Sequence, residues 1–259
     1  MEEVRVGVVA VTGSAGGIGG AIRARIEAEG HRVIGIDVRD AEVEADLSSA
    51  DGRAAAVTAV GEQADGPLDG LVVAAGIGGS TSAAPSVVAR INYFGAVALL
   101  TGLHDRLVDG ALHAAVAIAS NSATAVPMDD LSLVDACLAG DEDRAASVAD
   151  GFDGEAVYAM SKLALARKVR RLAVEWAPGV RVNAVAPGPV LTPLTQAALE
   201  HPVTGDLIRQ HPVPLDRWGE KDEIANAVWF LLSPESSWTT GTVLFADGGT
   251  DALLNPDRL

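Results

Sequence analysis

A tyrosine and a lysine stand four residues apart in the stretch EAVYAMSKLAL, where Tyr158 precedes Lys162. In a helix, residues at this spacing project from one face about a turn apart, so a phenol and an ammonium group would lie side by side. A nearby cation favours ionisation of a phenol, which is otherwise too weak an acid near neutral pH. The pair is a candidate for acid–base chemistry. The same spacing also occurs where a half-buried ring simply lies beside a solvated charge.

A second candidate lies near the N-terminus, where a Val-rich run ends in TGSAGGIG and leads into IGGAIRARI. Gly13, Gly17 and Gly19 would let the backbone approach a pyrophosphate closely, and the following helix would offer free N–H groups and a partial positive charge. Many strand-to-helix turns are rich in glycine, but here strand, turn and helix occur in the required order. The segment predicts a dinucleotide-binding loop.

An acidic residue, Asp37, ends the next predicted strand eighteen residues beyond Gly19. A carboxylate there accepts hydrogen bonds from the adenosine ribose and repels a 2′-phosphate, which favours NAD over NADP. Two alternatives remain open: Asp37 only caps the strand, or Arg39 softens the preference. Asp46, in the following EADLS, is a further candidate for contact with the adenine.

These residues need a scaffold that gathers them, and the hydrophobic pattern predicts one. Apolar runs rich in Val and Ile, typical of strands buried on both faces, alternate with amphipathic helical stretches. Such alternation indicates parallel crossovers and an α/β fold with a doubly wound parallel sheet of the Rossmann type. The predicted strands cover residues 6–12, 31–37, 69–75, 113–120, 180–186 and 242–247, and the predicted helices 17–29, 50–63, 86–108, 156–176 and 220–232.

No Gly/Ser or Pro linker divides the chain, so a single dinucleotide-binding domain over residues 1–259 is expected. Two segments interrupt the alternation. The acidic segment at about 127–154 predicts a helical insert before the Tyr158 helix. The segment at about 189–218 is expected to act as a lid over the substrate. Its apolar residues include Leu194, Leu199 and Ile208.

The composition excludes several classes of partner. With 19 basic and 35 acidic residues the formal charge is −16, which disfavours nucleic acid and anionic membranes. Cys137 is the only cysteine, which rules out an internal disulfide and fits a reducing cytoplasm. His201 and His211 lack the paired spacing of metal ligands, so no metal is expected. The N-terminus carries acids where a secretory signal has bases, and no apolar run would span a bilayer, so a soluble protein is expected.

In combination, TGSAGGIG, VVAAGIG, Asn92, Ser120 and YAMSK resemble the short-chain dehydrogenase/reductase family over nearly the whole chain. The turn APGPVLTP and the DGG at 247–249 extend this resemblance. GIDVRDAEVEADLS, INYFGA and the insert resemble the family's bacterial 3α-hydroxysteroid dehydrogenase/carbonyl reductase group. The resemblance implies hydride transfer between NAD and a secondary alcohol or ketone.

The resemblance also implies roles for individual residues. Tyr158 would be the general acid/base, and Lys162, together with the oxidised nicotinamide, would lower the pKa of the phenol and reach the nicotinamide ribose. Ser120 would donate a hydrogen bond to the substrate oxygen, with Ser122 as a rival. Asn92 would hold a water of the proton relay, unless its amide only binds local backbone.

Other positions are implied for the cofactor. Thr192 would bind it near the nicotinamide, and the Val190 backbone would lie near the carboxamide. Gly76 matches a family turn in which asparagine often stands where this chain has Ala74, which puts a structural hydrogen bond in doubt. The predicted cofactor-binding residues are Gly13, Ala15, Gly17, Ile18, Gly19, Asp37, Asp46, Leu47, Ala75, Gly76, Tyr158, Lys162, Pro187, Gly188, Val190 and Thr192.

The spacing of 38 positions between Ser120 and Tyr158 departs from the family pattern, in which most members have far fewer. The extra residues form either a surface helical hairpin or a cover over a helix face that relatives use for subunit packing. We favour the second interpretation slightly. A homodimer or homotetramer is expected, and the second interpretation disfavours the ordinary tetramer.

The sequence therefore favours an NAD-dependent oxidoreductase for a lipophilic cyclic alcohol or ketone, 3α-hydroxysteroid-like as the first choice. One alternative is a carbonyl reductase or alcohol dehydrogenase for another ring or aryl alcohol. The lid sequence does not distinguish this alternative from the first choice. Another is an NAD-binding sensor without catalysis, which the intact Ser120, Tyr158 and Lys162 disfavour. Metal-dependent alcohol oxidation has little support, because clustered cysteine and histidine ligands are lacking.

Overall fold

Seven parallel strands in the order β3-β2-β1-β4-β5-β6-β7 form the centre of the computed structural model, which describes residues 7–200 and 204–257. The strands are β1 (Val8–Thr12), β2 (Arg32–Asp37), β3 (Val43–Glu44), β4 (Gly70–Val73), β5 (Ala114–Ile118), β6 (Arg181–Pro187) and β7 (Val243–Ala246). The predicted fold class and all six predicted strands are confirmed. β3 was not predicted, because two residues are too short to show an alternating pattern.

Helices cover both faces of the sheet. They are α1 (Gly17–Ala28), α2 (Ala50–Ala64), α3 (Pro85–Ala89), a π-helix (Arg90–Gly95), α4 (Ala96–Gly102), α5 (His104–Val108), α6 (Ser122–Ala125), α7 (Ser132–Ala139), α8 (Glu142–Ala149), α9 (Gly154–Glu175), α10 (Pro193–Glu200), α11 (Thr204–Arg209), α12 (Lys221–Leu232) and α13 (Thr250–Leu254). The one predicted helix at 86–108 is instead α3, the π-helix, α4 and α5 in succession. No helix in the described part of the chain combines the length and apolarity that crossing a membrane requires.

The strands are mostly apolar because both faces of the sheet are buried. On β1, Ala10 faces a core that includes Val60 of α2, whereas Val9 and Val11 face a core that includes Ile22 of α1. This is the arrangement of a sheet between two helical layers, and it leaves the carboxyl ends of the strands at one open edge.

The insert forms α7 and α8, which pack against α3 and α9. Leu133, Val134 and Cys137 of α7 are fully buried in this contact. A side-chain oxygen of Asp150, just after α8, accepts a hydrogen bond at 2.9 Å from the backbone N–H of Ser86 at the start of α3. The insert is therefore a packed part of the domain.

The lid segment contains α10 and α11 and is held at both ends. Near its start, Val190 forms an isolated parallel bridge with Gly219, which lies just past the predicted end of the segment. Near its end, the backbone N–H of Leu215 donates to the Gly248 carbonyl at 3.1 Å. Leu194 and Leu199 lie on α10 and Ile208 on α11, and His201 lies outside the described residues.

Candidate active site

The predicted site residues gather where the parallel strands end, because the carboxyl ends of such strands share one edge of the sheet. Gly13 follows β1, Gly76 follows β4, Ser120 follows β5 and Gly188 follows β6. α9 runs past this edge and contributes Tyr158. Residues that are far apart in the sequence therefore meet in one place.

The long helix α9 presents the tyrosine and the lysine together. Asp153 caps the helix by accepting a hydrogen bond at 2.8 Å from the backbone N–H of Ala156. The Lys162 Nζ lies 5.9 Å from the centre of the Tyr158 ring. Lys162 is only 4% exposed, and its Nζ donates at 2.8 Å to the backbone carbonyl of Ile118, the last residue of β5. The predicted pairing on one helix face is present.

Burial shifts the pKa of both groups. It lowers the pKa of Lys162 to about 8 from an ordinary value of 10.5. It raises the pKa of Tyr158, an effect that a hydrogen bond with Ser120 opposes and the Glu155 carboxylate increases. In the protein without cofactor the phenol is therefore protonated at neutral pH and ready to donate.

Ser120 lies two residues after the end of β5 and is buried. Its hydroxyl oxygen accepts hydrogen bonds from the backbone N–H of Ser122 at 3.2 Å and from the Ser122 hydroxyl at 3.0 Å. Neither of these bonds uses the Ser120 proton, so the hydroxyl can donate it toward Tyr158 or a substrate oxygen. Ser122, its rival in the sequence, thus lies in a position that supports Ser120.

Asn92 is fully buried in the π-helix, at the point where the sequence predicts a regular helix. Its Oδ1 accepts from the backbone N–H of Ile77 at 2.9 Å, and its Nδ2 donates to the Ile77 carbonyl at 3.0 Å. Nδ2 also lies 3.4 Å from the Ser161 hydroxyl, which donates at 2.7 Å to the Tyr158 carbonyl. The amide therefore binds backbone fifteen residues away, and not that of its own helix. Short π-helical turns within α-helical segments, such as this one, are common at functional sites.

Gly76 fits between these groups because it has no side chain. A Cβ there would lie 3.0 Å from the Asn92 Oδ1 and 3.3 Å from the Lys162 Nζ. The neighbouring N–H groups of Ala74 and Ala75 both donate at 2.9 Å to the Thr12 hydroxyl. Thr12 therefore ties β1 to this turn by hydrogen bonds that do not need a side-chain amide at Ala74.

The glycine loop has the shape that a pyrophosphate requires. Gly13 and Gly17 have φ angles of 71° and 56°, which side chains disfavour. A Cβ on Gly19 would overlap the carbonyl oxygen of Gly13, whereas one on Gly17 would meet open space. Helix α1 has no side-chain cap and no acid in its first turn, so its N–H groups and positive end are available to a phosphate. Ile18 lies, partly buried, in that same first turn.

Asp37 points back toward the glycine loop. Its Oδ2 accepts from the backbone N–H of Ala15 at 3.0 Å, and its Oδ1 accepts from that of Val38 at 2.7 Å. The carboxylate thus caps the end of the strand and also lies beside the loop. Arg39 is exposed, and its Nε lies 3.9 Å from a carboxylate oxygen of Asp40.

The segment with Asp46 and Leu47 lies beside Asp37, because the N–H of Ala45 donates to the Asp37 carbonyl at 2.8 Å. Asp46 accepts from the N–H of Ser48 at 2.9 Å, and hydrogen bonding to Ser48 lowers its pKa. Leu47 is 5% exposed. The predicted adenosine-binding residues are therefore neighbours.

The turn after β6 holds the remaining predicted residues. Pro187 ends the strand, and a Cβ on Gly188 would lie 2.7 Å from the Asp247 Cα. The Thr192 hydroxyl oxygen accepts from the backbone N–H of Thr195 at 3.2 Å. The Thr195 hydroxyl donates at 2.5 Å to the Val190 carbonyl, so this turn is held by its own hydrogen bonds.

One contact between the lid and the site joins two residues that no sequence pattern pairs. The Nδ2 of Asn121, which follows Ser120, lies 3.2 Å from the Nε2 of His211. Burial lowers the pKa of His211, and the Asp247 carboxylate opposes this shift. Nothing in the sequence pairs these residues, because ninety positions separate them. Within residues 7–200 and 204–257, no three His, Cys, Asp or Glu side chains are grouped as metal ligands.

Comparison with known proteins gives three kinds of similarity. Residues 144–251 match the family model described as enoyl-(acyl carrier protein) reductase. The 3-alpha-hydroxysteroid dehydrogenase/carbonyl reductase of Comamonas testosteroni is 40% identical over 97% of this chain and 99% of its own. The crystal structure of the 3-alpha-hydroxysteroid dehydrogenase from Pseudomonas sp. B-0831 complexed with NADH has a TM-score of 0.94 and 46% identity, covering 97% of this chain and 100% of that one. The ligand-free aldohexose dehydrogenase of Thermoplasma acidophilum has a TM-score of 0.75 and 27% identity, covering 98% and 97% of the two chains.

The buried ammonium of Lys162 predicts a pH effect on stability. Between about pH 8 and 10.5 the unfolded chain still binds a proton that the folded chain has released, so the free energy of unfolding rises with pH. We expect Lys162→Met to stabilise the cofactor-free protein at pH 7, by up to about 3 kcal/mol, and to flatten this pH dependence.

Urea unfolding at pH 7 and pH 10 measures both effects. Lys168→Met, on the same helix but only partly buried, is the control and should keep the slope of the wild type. A Lys162→Met protein that is less stable at pH 7 and retains the slope would contradict the buried-charge argument.

Proposed function

Because the chain belongs to the short-chain dehydrogenase/reductase family, we propose that it is an NAD-dependent oxidoreductase that interconverts a secondary alcohol and a ketone. The observation that carries the proposal is the grouping of Ser120, Tyr158 and Lys162 at the sheet edge, beside the glycine loop. The first substrate class is a lipophilic cyclic alcohol of the 3α-hydroxysteroid kind, since two relatives with that name match nearly the whole chain.

Bound NAD would supply the acceptor or donor of the hydride. The residues of this chain handle the proton and the geometry. Tyr158 gives its proton to the substrate oxygen during reduction and takes it back during alcohol oxidation. The Ser120 hydroxyl donates a hydrogen bond to the same oxygen and fixes its position. Lys162 provides the positive charge that favours the phenolate when the proton leaves.

The adenosine end favours NAD because of Asp37. Its carboxylate lies beside the loop amide of Ala15. A 2′-phosphate would bring negative charge to this carboxylate, whereas ribose hydroxyls would donate hydrogen bonds to it. Arg39 is largely exposed and lies beside Asp40, so we infer that it contributes little countercharge to a 2′-phosphate.

The lid would separate the reacting groups from water. The segment is fixed to the body at Val190, Leu215 and His211, the last of which lies next to Asn121. Excluding water strengthens the hydrogen bonds around the reacting oxygen.

A ring or aryl alcohol other than a steroid remains the second substrate class. We propose a cytoplasmic location, since a single buried cysteine suits a reducing compartment.

We propose that the chain forms a homodimer through the β7 edge. β7 is the last strand of the sheet, and Trp238 just before it is fully exposed. Val174 is 80% exposed and lies in a shallow cleft with Thr240 and Thr242. Exposed strand edges with apolar side chains are typical pairing surfaces. Away from the β7 edge, α7 of the insert covers part of α9, which disfavours the further contacts of a tetramer.

Replacing Tyr158 by phenylalanine tests the catalytic proposal. We expect NAD+ reduction with androsterone, followed at 340 nm, to fall by about a thousand-fold, because the proton carrier is lost. Binding of NADH, measured by fluorescence, should stay within about threefold.

Tyr93→Phe is the matched control, since Tyr93 is the other tyrosine and is buried away from this edge. It should keep turnover within about twofold. If the wild type turned over only other cyclic alcohols, the proposed substrate class would change to those alcohols. If it turned over no alcohol of a panel but still bound NADH, the NAD-binding sensor would be favoured.

Asp37→Asn tests the choice of cofactor by removing one charge without changing shape. We expect the NAD+ over NADP+ ratio of kcat/KM to fall at least about tenfold, because repulsion of the 2′-phosphate is lost. Asp40→Asn, an exposed carboxylate three positions on, should leave the ratio unchanged. An unchanged ratio in Asp37→Asn would refute the role of Asp37.

Light scattering after size-exclusion chromatography tests the dimer. We expect the wild type to have the mass of two chains and Trp238→Ser to shift toward one, because the interface loses its most exposed ring. Val38→Ser, 66% exposed at the opposite side of the sheet, is the control and should remain dimeric. A wild-type tetramer would contradict the role given to the insert.

A further inference from the structure

One carboxylate connects the insert to both elements that flank the predicted adenosine site. Glu142 is the first residue of α8, and its Oε2 accepts from the Arg53 Nη2 at 2.5 Å. Its Oε1 lies 3.4 Å from the Nε of Arg90. Arg53 is on α2, and Arg90 is the first residue of the π-helix. The insert therefore holds two cations that belong to two different helices.

Arg53 extends this connection to the cofactor segment. It is 5% exposed, and its Nη1 donates at 3.2 Å to the backbone carbonyl of Leu47. Leu47 follows Asp46 in the segment that runs beside Asp37. One end of the guanidinium thus binds the insert, and the other binds the backbone of the predicted adenosine site.

The other flank of Leu47 is the π-helix. A Cβ on Gly95 would lie 3.2 Å from the Leu47 Cβ and 3.4 Å from its carbonyl oxygen, so the backbones pack closely there. Glu142 contacts the opposite end of the same π-helix through Arg90. Leu47 is therefore enclosed by two elements that Glu142 joins.

The buried charges make this arrangement sensitive to Glu142. A buried guanidinium without its carboxylate is strongly unfavourable, so Arg53 would turn toward water once Glu142 is neutral. The Leu47 carbonyl would then lose its donor, and the segment would be free to shift. A segment that is no longer held in its binding conformation must be ordered when the ligand binds, and this ordering reduces affinity.

We propose that Glu142 is a positioning residue for the adenine end of NAD and acts through Arg53 on the Leu47 carbonyl. The proposal rests on the proposed NAD-dependent function. It gives the insert a role in binding cofactor, separate from any effect on assembly. Because the path from Glu142 through Arg53 ends at the Leu47 carbonyl and not at Tyr158, we expect its loss to lower cofactor affinity and to leave kcat nearly unchanged.

The test uses ADP-ribose, which keeps the adenosine and pyrophosphate of NAD but lacks the nicotinamide. In Glu142→Gln, calorimetry should show ADP-ribose and NADH weakened by the same factor, about tenfold. The KM for NAD+ should rise by that factor, while kcat at saturating NAD+ stays within about twofold. Asp143→Asn, the exposed neighbour on α8, removes an equal charge and should leave all three values unchanged.

A double variant, Arg53→Met with Glu142→Leu, guards against simple unfolding. Replacing both members of a buried ion pair by apolar residues usually preserves stability, but it still removes the donor to Leu47. We expect the same weakening of ADP-ribose in this variant.

Wild-type affinity for ADP-ribose in either variant would overturn the proposal, even if thermal stability falls. A kcat that drops while affinity is unchanged would also overturn it. If the wild type itself bound neither ADP-ribose nor NADH, the proposed NAD-dependent function would fail as well, so the two failures are distinguishable.

Discussion

The hydrogen bond from the Lys162 ammonium to the Ile118 carbonyl is the contact on which the site depends. It joins α9 to the end of β5, where Ser120 follows two residues later. A buried lysine is costly, and this cation is held beside a phenol and beside Gly76, where a Cβ would lie 3.3 Å from the Lys162 Nζ. The fold tolerates that cost because many apolar residues of α9, such as Val157 and Leu165, hold the helix against the sheet. Apolar packing of α9 thus compensates for the cost of holding the Lys162 ammonium away from water.

The sequence predicts the parts of this site that arise from local patterns. The strands are visible because they are apolar on both faces, and the Tyr158–Lys162 pair is visible because a helix has a fixed period. The π-helix is not visible, since one extra residue per turn around Asn92 leaves the apolar pattern of residues 86–108 almost unchanged. Contacts between distant residues are equally hidden. Glu142 and Arg53 are 89 positions apart, and their meeting depends on how α7 and α8 pack on α3 and α9.

The insert shows why a length difference alone says little about function. As extra sequence between Ser120 and Tyr158, it has either a surface or an interface interpretation. The structure adds a third kind of connection, because Asp150 caps α3 and Glu142 binds Arg53 and Arg90. Through Arg53 and Arg90, the insert contacts the elements that flank the predicted adenosine site. A segment of this kind can alter affinity without touching a ligand.

A chain of net charge −16 that binds a cofactor with an anionic pyrophosphate needs a local source of attraction. At physiological ionic strength, fields from exposed charges decay over about 8 Å, so most of the distant carboxylates are screened. Within that range the glycine loop presents the uncapped positive end of α1, with no acid in its first turn. The Asp37 carboxylate lies beside the N–H of Ala15, on the side expected for uncharged ribose hydroxyls. The short-range arrangement therefore offers an anionic pyrophosphate local attraction that the overall charge of the protein does not provide.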